Sequence, residues 1–169
     1  MIRPNMDNIP VYPLPDSYSI RAYTPGDENS WVELQSRTDK FNKIDIDLFH
    51  KSFGYDTEIL SKRILFLLNP HGKIIGTASA WFNDDYHGEK YGRIHWVAIH
   101  PDYQGKGLSK PLLSAACKKL VSLGHCKTYL TTSSARIAAI NLYLKFGFEP
   151  EINTPEDKII WKSIQDILD

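Results

Sequence analysis

The feature that most constrains the fold is a turn with two glycines, which separates an apolar run from a helical pattern. The run RIHWVAI over residues 93–99 predicts a strand, and leucines and alanines recur at helical spacing from Leu108 to Leu123. Glycine in regular structure costs about 0.5–1 kcal/mol relative to alanine, so Gly105 and Gly107 need a reason. A helix that begins directly after such a turn presents unpaired N–H groups, which suit an anion such as phosphate.

The rest of the chain alternates between strand and helix patterns. Strands are predicted at 18–24, 63–69, 72–82, 93–99 and 127–132, with a last strand in EDKIIWKSI over 156–164. Helices are predicted from Asp27, at 45–60 with an interruption at Gly54, at 108–123 and at about 135–146. Residues 83–92 predict a polar loop. The strand–helix–strand–helix order in the middle predicts an α/β fold with a mixed central sheet.

Length and charge limit the domain count and the partners. The 169 residues predict one domain over 17–169, preceded by an extended, proline-containing leader at 1–16. Lysine plus arginine and aspartate plus glutamate both number 20, so the formal net charge is zero. This balance argues against a nucleic-acid binder or an anionic-membrane binder, although a local basic site is compatible with it.

Targeting signals and metal ligands are not recognised in the sequence. The longest strongly apolar run, ILFLL, is far shorter than the roughly 20 residues of a membrane span. The first residues contain no apolar signal-peptide core, so we expect a cytoplasmic protein. Cys117 and Cys126 fit no metal or redox spacing and are predicted to be buried free thiols, and the histidines predict no metal site.

Two common phosphate-binding motifs do not fit the glycine turn. A Walker loop requires G-x-x-x-x-G-K-[ST], which the chain does not contain. A dinucleotide fingerprint requires a third glycine where Lys110 stands, and an acidic residue about 20 positions further on, where HCKTYLTT offers none. A kinase or a dehydrogenase is therefore disfavoured. The alternative that the turn only connects two elements stays open at this point.

A third motif matches the turn. Gln104, Gly107 and Ser109 fit [QR]-x-x-G-x-[GA], apart from serine at the last position, and AAINLYLKFGF over 138–148 fits A-x-x-L-Y-x-x-x-G-F. The chain therefore resembles the GCN5-related N-acetyltransferase (GNAT) superfamily, over roughly residues 17–161 and most closely over 94–148. The resemblance implies a mixed, splayed central sheet with helices on both faces.

The resemblance also implies a binding site for acetyl-CoA, which would be the acyl donor. Its pyrophosphate would lie on the backbone amides of the signature loop, formed by Gln104, Gly105, Lys106, Gly107, Leu108, Ser109 and Lys110. The pantetheine arm would add to the strand edge at Val97, Ala98 and Ile99, with an N–H near Val97 meeting the acetyl carbonyl. Arg136 stands where the family usually has a cofactor-contacting asparagine, and it is a further candidate contact.

Two residues are candidates for proton transfer. Many family members place a glutamate on the signature strand as a base, but this strand offers Arg93 and His95. His95, with an ordinary pKa near 6.5, is the candidate base; alternatively its imidazole is held by structural hydrogen bonds. Tyr143 matches the family tyrosine that donates a proton to the departing thiolate; alternatively it only packs on the sheet. A bulge is usual in this strand, so alternation does not fix which face His95 occupies.

Aromatic and acidic side chains are the candidates for acceptor recognition. An acceptor pocket or the core would explain the aromatic residues Trp31, Phe49, Phe53, Tyr55, Trp81, Phe82 and Tyr86. Asp84, Asp85 and Glu89 either attract a cationic amine or belong to a solvated loop.

The functional hypothesis is an acetyl-CoA-dependent N-acetyltransferase. It would transfer an acetyl group to a primary amine of a small molecule or a peptide, by direct attack in a ternary complex. The alternative is a non-catalytic acyl-CoA-binding regulatory module. Neither nucleic acid nor a membrane is expected as a partner. The sequence leaves open the acceptor, the length of the acyl group and whether the chain forms a homodimer.

Overall fold

The computed structural model describes residues 1–168 of the chain. In chain order its elements are β1 (Ile2–Arg3), β2 (Ser19–Ala22), α1 (Glu28–Thr38), α2 (Ile46–Phe53), α3 (Thr57–Arg63), β3 (Ile64–Leu68), β4 (Ile74–Tyr86), β5 (Glu89–Ile99), a 3₁₀ turn (Pro101–Tyr103), α4 (Ser109–Ser122), β6 (Thr128–Tyr129), α5 (Ile137–Lys145) and α6 (Pro155–Leu168). None of these helices is long and apolar enough to cross a membrane.

The strands form one mixed sheet in the order β1-β6-β5-β4-β3-β2. The pairs β2–β3, β3–β4, β4–β5 and β1–β6 are antiparallel, whereas β5 and β6 are parallel. The parallel pair requires a crossover, which α4 provides. The predicted α/β class with a mixed sheet is therefore confirmed.

Hydrophobic residues on the two faces of the sheet bury against different helices. Leu65 and Leu67 of β3 pack with the buried side of α4, whereas Ile64 and Phe66 of the same strand pack with α1 and α2. This alternation follows from the two-residue period of a strand. The helices thus cover both faces, which leaves the sheet's strand edges as the places where a ligand can approach the backbone.

The predicted polar loop at 83–92 is instead the end of a long hairpin. β4 continues to Tyr86 and β5 begins at Glu89, so only His87 and Gly88 form the turn. Both have positive φ, 56° and 80°, as the favoured two-residue hairpin turn requires. Tyr86 also stacks on Tyr129 of β6, with ring centroids 3.8 Å apart, so the hairpin extends the sheet.

The strand predicted at 156–164 is wrong, because this segment begins the helix α6. A reciprocal pair of hydrogen bonds caps the helix: Asp157 N donates to Thr154 Oγ1 at 3.1 Å, and Thr154 N donates to Asp157 Oδ2 at 2.9 Å. Pro155 occupies the first helical turn, where its missing N–H costs nothing. The capping signal T-P-E-D is therefore present in the sequence, but the apolar run IIW that follows it is also compatible with a strand.

The leader packs onto the sheet. Ile2 and Arg3 form the edge strand β1 against β6, Met6 is buried in the core, and Tyr12 packs on Phe146 with ring centroids 5.7 Å apart. A domain boundary near residue 17 stays a prediction. Of the two cysteines, Cys117 is buried as expected, whereas Cys126 is exposed, because it lies in the connection between α4 and β6.

Arg3 links the leader to the end of α5 by hydrogen bonds. Its buried guanidinium donates to the carbonyl oxygens of Asn5 at 2.8 Å, Asp7 at 2.5 Å and Phe146. We expect Arg3→Ala to lower the free energy of unfolding by about 2–4 kcal/mol, because charge-assisted hydrogen bonds are lost and buried carbonyls lose their donor. Urea denaturation measures this change. The exposed Arg37→Ala is the control and should change stability by about 0.5 kcal/mol or less; equal effects of the two variants would contradict the expectation.

Candidate active site

A cleft opens where the parallel strands β5 and β6 separate. They pair only at Gly92 with Thr128 and at Arg93 with Tyr129, after which β6 ends and β5 continues to Ile99. The edge of β5 over 94–99 therefore has no strand beside it in the described part of the chain. The cleft at this edge has a volume of about 1040 Å³. Free backbone groups along it suit an extended ligand that adds to the sheet by hydrogen bonds.

A β-bulge shapes the middle of this edge. Thr77 lies opposite Ala98, and Ser79 lies opposite His95. On β5, Trp96 and Val97 therefore both lie opposite the single β4 residue between Thr77 and Ser79. Trp96 has a φ of 48°, a conformation that bulky side chains rarely adopt.

Contacts from two helices hold the bulge in place. Gln35 Nε2 of α1 donates to the Trp96 carbonyl at 3.1 Å, and Trp96 Nε1 donates to Ser52 Oγ of α2 at 3.1 Å. The Trp96 ring also packs edge-on against Trp31, with centroids 5.1 Å apart. These contacts stabilise an unfavourable backbone conformation, as often occurs at functional sites.

The glycine loop presents its backbone amides to the same cleft. Gly105 and Gly107 both have a φ of 75°, and a Cβ at either position would meet no atom within 4 Å. The backbone N–H groups at 105–109 have no acceptor within residues 1–168. The Gln104 side chain anchors the loop by donating from Nε2 to the carbonyl of Ile99 at 2.9 Å. Open space, free N–H groups and the start of α4 together form a binding surface suited to an anion.

Most of the candidate cofactor residues line this one cleft. The lining includes Val97, Ala98, Ile99, Gln104, Gly105, Gly107, Leu108, Ser109 and Arg136. Lys106 and Lys110 are not part of it. Their ammonium groups lie over aromatic rings, 4.6 Å from the centroid of Tyr103 and 5.2 Å from that of Tyr12, respectively. The two lysines therefore contribute charge near the loop, and their contact with a ligand stays a prediction.

Tyr143 of α5 also lines the cleft. Its side chain is 8% exposed and packs against Phe148, with ring centroids 5.9 Å apart. Burial raises the pKa of Tyr143 to about 12, so the phenol keeps its proton throughout the neutral range. The residue both packs on the fold and presents a hydroxyl to the cleft, so the two interpretations of the sequence are compatible.

His95 also lines the cleft, but its titration differs from the expectation. The imidazole packs edge-on against Phe53, with ring centroids 5.7 Å apart. Burial, reinforced by the charge of Arg93, lowers the pKa of His95 to about 3. The ordinary histidine pKa near 6.5 therefore does not apply at this site. His95 is neutral at pH 7 and too weak a base to take a proton from an ammonium group, although it can accept a hydrogen bond. Its role in catalysis stays a prediction.

The lowered pKa of His95 predicts acid sensitivity. Between pH 6.5 and 3 the unfolded chain binds a proton at this residue that the folded chain does not, so stability falls as pH falls. On lowering the pH from 6.5 to 5, we expect His95 to lower the free energy of unfolding by about 1.6 kcal/mol, because the unfolded imidazole is already half protonated at pH 6.5 and the slope reaches about 1.4 kcal/mol per pH unit only below that pH. Urea denaturation of the wild type and His95→Gln at both pH values measures it. Equal losses in the two proteins would contradict the prediction.

An ion pair spans one side of the cleft. Arg136 Nη2 lies 2.9 Å from Asp39 Oδ2 at the end of α1, and its guanidinium lies 5.1 Å from the centroid of the Phe41 ring. Burial would raise the pKa of Asp39, but hydrogen bonds from the backbone of Phe41 and Asn42 and from Arg136 outweigh it and hold the pKa below its ordinary value. The pair joins the α1–α2 connection to the segment before α5.

The expected acceptor residues lie elsewhere. Trp31, Phe49 and Phe53 are buried core residues, and none of the seven candidate aromatics is part of the cleft lining. The acidic residues belong to the hairpin, where Asp84 pairs with Lys90 at 3.1 Å and Glu89 pairs with Lys127. These contacts favour the alternative explanations, core packing and a solvated surface.

Sequence patterns did not identify several other residues that line the cleft. These include Gln35, Thr38, Asp39, Phe41, Thr131, Thr132 and Ser133. Gln35 offered one signal: it is a polar residue, 3% exposed, on the buried stripe of α1.

Comparisons with known proteins agree with this geometry. The family model described as "Acetyltransferase (GNAT) family" matches residues 28–148. A mycothiol acetyltransferase from Arthrobacter sp. (strain FB24) is 28% identical over 152 residues, which cover 83% of this chain and 45% of the relative. The chain thus spans about half the length of this relative.

Solved structures share the fold. A GCN5-related N-acetyltransferase from Sphaerobacter thermophilus superposes with a TM-score of 0.72 at 18% identity, covering 88% of this chain and 46% of that one. The ribosomal-protein-S18-alanine N-acetyltransferase from Escherichia coli superposes with a TM-score of 0.65 at 22% identity, covering 80% and 79%.

Proposed function

The chain belongs to the acetyltransferase (GNAT) family, and on that premise we propose that it is an acetyl-CoA-dependent N-acetyltransferase. It would transfer the acetyl group to a primary amine by direct attack within a ternary complex. The observation that carries the proposal is the single cleft that brings together the free edge of β5, the glycine loop and the Tyr143 hydroxyl.

The residues present fit acetyl-CoA. The free N–H groups at 105–109 and the start of α4 suit a pyrophosphate, and the edge of β5 offers Val97, Ala98 and Ile99 to the amide groups of a pantetheine arm. When bound, acetyl-CoA supplies a thioester that an amine can attack. Arg136 borders the cleft near this path, although its guanidinium is already paired with Asp39.

The chain's own groups would contribute mainly by positioning. Holding an amine beside a fixed thioester converts a bimolecular step into an effectively unimolecular one. Tyr143 is protonated at neutral pH and would donate its proton to the departing sulfur. Neutral His95 would accept a hydrogen bond that orients the amine, which would arrive uncharged or lose its proton to water.

Ligand-dependent thermal unfolding tests the donor. Acetyl-CoA, ATP and NADH would be compared at equal concentration, and a ligand present at 100 times its Kd should raise Tm by about 5–11 °C for a domain of this size. We expect a shift with acetyl-CoA alone. A shift with ATP or NADH instead would contradict the proposal.

Thiol release then separates an enzyme from a binding module. A thiol reagent would follow the release of coenzyme A while a panel of primary amines is added with acetyl-CoA. We expect amine-dependent release well above the rate of thioester hydrolysis. Binding of acetyl-CoA without release for any amine would favour the non-catalytic acyl-CoA-binding module.

A further inference from the structure

Arg93 is a cation in the cleft without an anionic partner. The Nε atom is shielded from solvent and makes no hydrogen bond within residues 1–168. The ion pairs of that part of the chain do not include Arg93, and its guanidinium lies over the Tyr129 ring at 5.5 Å from the centroid. Removing a guanidinium nitrogen from water without a partner is unfavourable. The side chain as a whole is only half-buried, so an anion from the cleft can reach its other guanidinium nitrogens.

The other charges of the cleft do not balance Arg93. Among the described residues that line it, Asp39 is the only carboxylate. Asp39 is already bound to Arg136 at 2.9 Å, and it accepts hydrogen bonds from the backbone N–H groups of Phe41 at 2.7 Å and Asn42 at 3.0 Å. His95 lies two residues from Arg93 on β5, and it is neutral at pH 7. The cleft thus has one uncompensated positive charge, which would repel a polyamine.

The position of Arg93 places this charge beside the expected reaction centre. Arg93 and His95 precede the bulge on the same strand, so their side chains project from the same face, about 7 Å apart along the strand. Arg93 lies opposite Tyr129 of β6, at the point where the two strands still pair. Contact with the Tyr129 ring occupies one face of the guanidinium, while its two Nη groups, which make no hydrogen bond within residues 1–168, remain available for a bidentate oxyanion.

We propose that Arg93 recognises a carboxylate or phosphate on the acceptor, so that the preferred substrates are amines that carry a negative charge. This inference rests on the proposed acetyl transfer, because it assigns the acceptor class of the same cleft. An amine held through its anionic group at Arg93 would lie next to His95 and Tyr143, where the acyl donor is expected.

Matched pairs of amines test the proposal. α-Amino acids would be compared with their carboxamides, 2-aminoethyl phosphate with ethanolamine, and spermidine would represent the polycations, all at equal concentrations of free amine. Transfer is followed by thiol release with acetyl-CoA. Binding is followed separately by calorimetry, with and without coenzyme A. We expect the anionic member of at least one pair to be preferred by about 10- to 100-fold, in line with a charge-assisted hydrogen bond.

Three variants test whether Arg93 causes the preference for anionic amines. Arg93→Gln should reduce the preference for the anionic amine to about threefold or less. Arg93→Lys should keep part of the preference, because lysine retains the charge but not the planar guanidinium that binds an oxyanion through two N–H groups. Arg37→Gln is the control, an exposed arginine of α1 that does not line the cleft; it should leave the ratio between anionic and neutral acceptors unchanged. If Arg93→Gln does not fold, the comparison of Arg93→Lys with the wild type decides.

The outcomes test the role of Arg93 separately from the proposed acetyl transfer. Preference for the amino acids identifies a carboxylate, and preference for 2-aminoethyl phosphate identifies a phosphate. Equal or better binding of the neutral amines or spermidine would overturn the role of Arg93, as would an unchanged preference in Arg93→Gln. Binding of anionic amines without any transfer would instead contradict the proposed acetyl transfer and leave the anion site supported.

Discussion

Tyr143→Phe is expected to lower kcat by about 100-fold or more while leaving the fold intact. The range for general acid catalysis by a positioned side chain is about 10²–10⁴-fold. The substitution removes only the hydroxyl, and burial has raised the pKa of Tyr143 to about 12, so the group is protonated at every pH at which the enzyme would be assayed. The ring and its packing against Phe148 are retained, which is why stability should change little.

The control for Tyr143→Phe is the pattern of effects on binding. Thermal unfolding with acetyl-CoA should show the same ligand-induced shift as in the wild type, because the hydroxyl contributes to the proton transfer and not to the loop that holds the donor. Thiol release with the best amine of the panel measures kcat. Turnover within about threefold of the wild type would remove Tyr143 as the proton donor, and a lost acetyl-CoA shift would assign it to binding instead.

The central part of the fold was predictable because each signal there has one dominant cause. The strand over 93–99, the two glycines and the leucine spacing after Leu108 depend on local backbone and burial preferences. They are found as β5, the loop with a φ of 75° at both glycines, and α4. The C-terminal segment was harder to predict. Its apolar residues Ile159 and Ile160 are compatible with a strand unless the capping residues before them are recognised.

The electrostatics of the site could not be predicted from the sequence. The pKa of His95 depends on burial beneath α2 and on the charge of Arg93, which are known only when the elements are packed. In the same way, the pairing of Asp39 with Arg136 joins residues 97 positions apart, and it is this pairing that leaves Arg93 unbalanced. Spacing identified most of the residues that line the cleft, whereas the balance of charges in the cleft could be known only from the fold.

The double variant Gly105→Ala/Gly107→Ala is expected to weaken acetyl-CoA binding by about 30-fold or more. A left-handed conformation costs an alanine about 1–2 kcal/mol relative to glycine, so two substitutions favour loop conformations that no longer direct the N–H groups at 105–109 toward one anion. The effect is conformational, because an added Cβ would meet no atom within 4 Å at either position. Calorimetric titration with acetyl-CoA measures the change in Kd.

The matched control is Gly72→Ala/Gly124→Ala, which carries the same backbone penalty outside the cleft. These glycines have φ values of 74° and 82°, and a Cβ would again meet nothing within 4 Å. Both double variants should lose a similar amount of stability, since the strain is alike, but only the loop variant should lose affinity for acetyl-CoA. Equal Kd values in the two variants would mean that the glycine turn only connects β5 to α4, and the anion site would then have to lie elsewhere in the cleft.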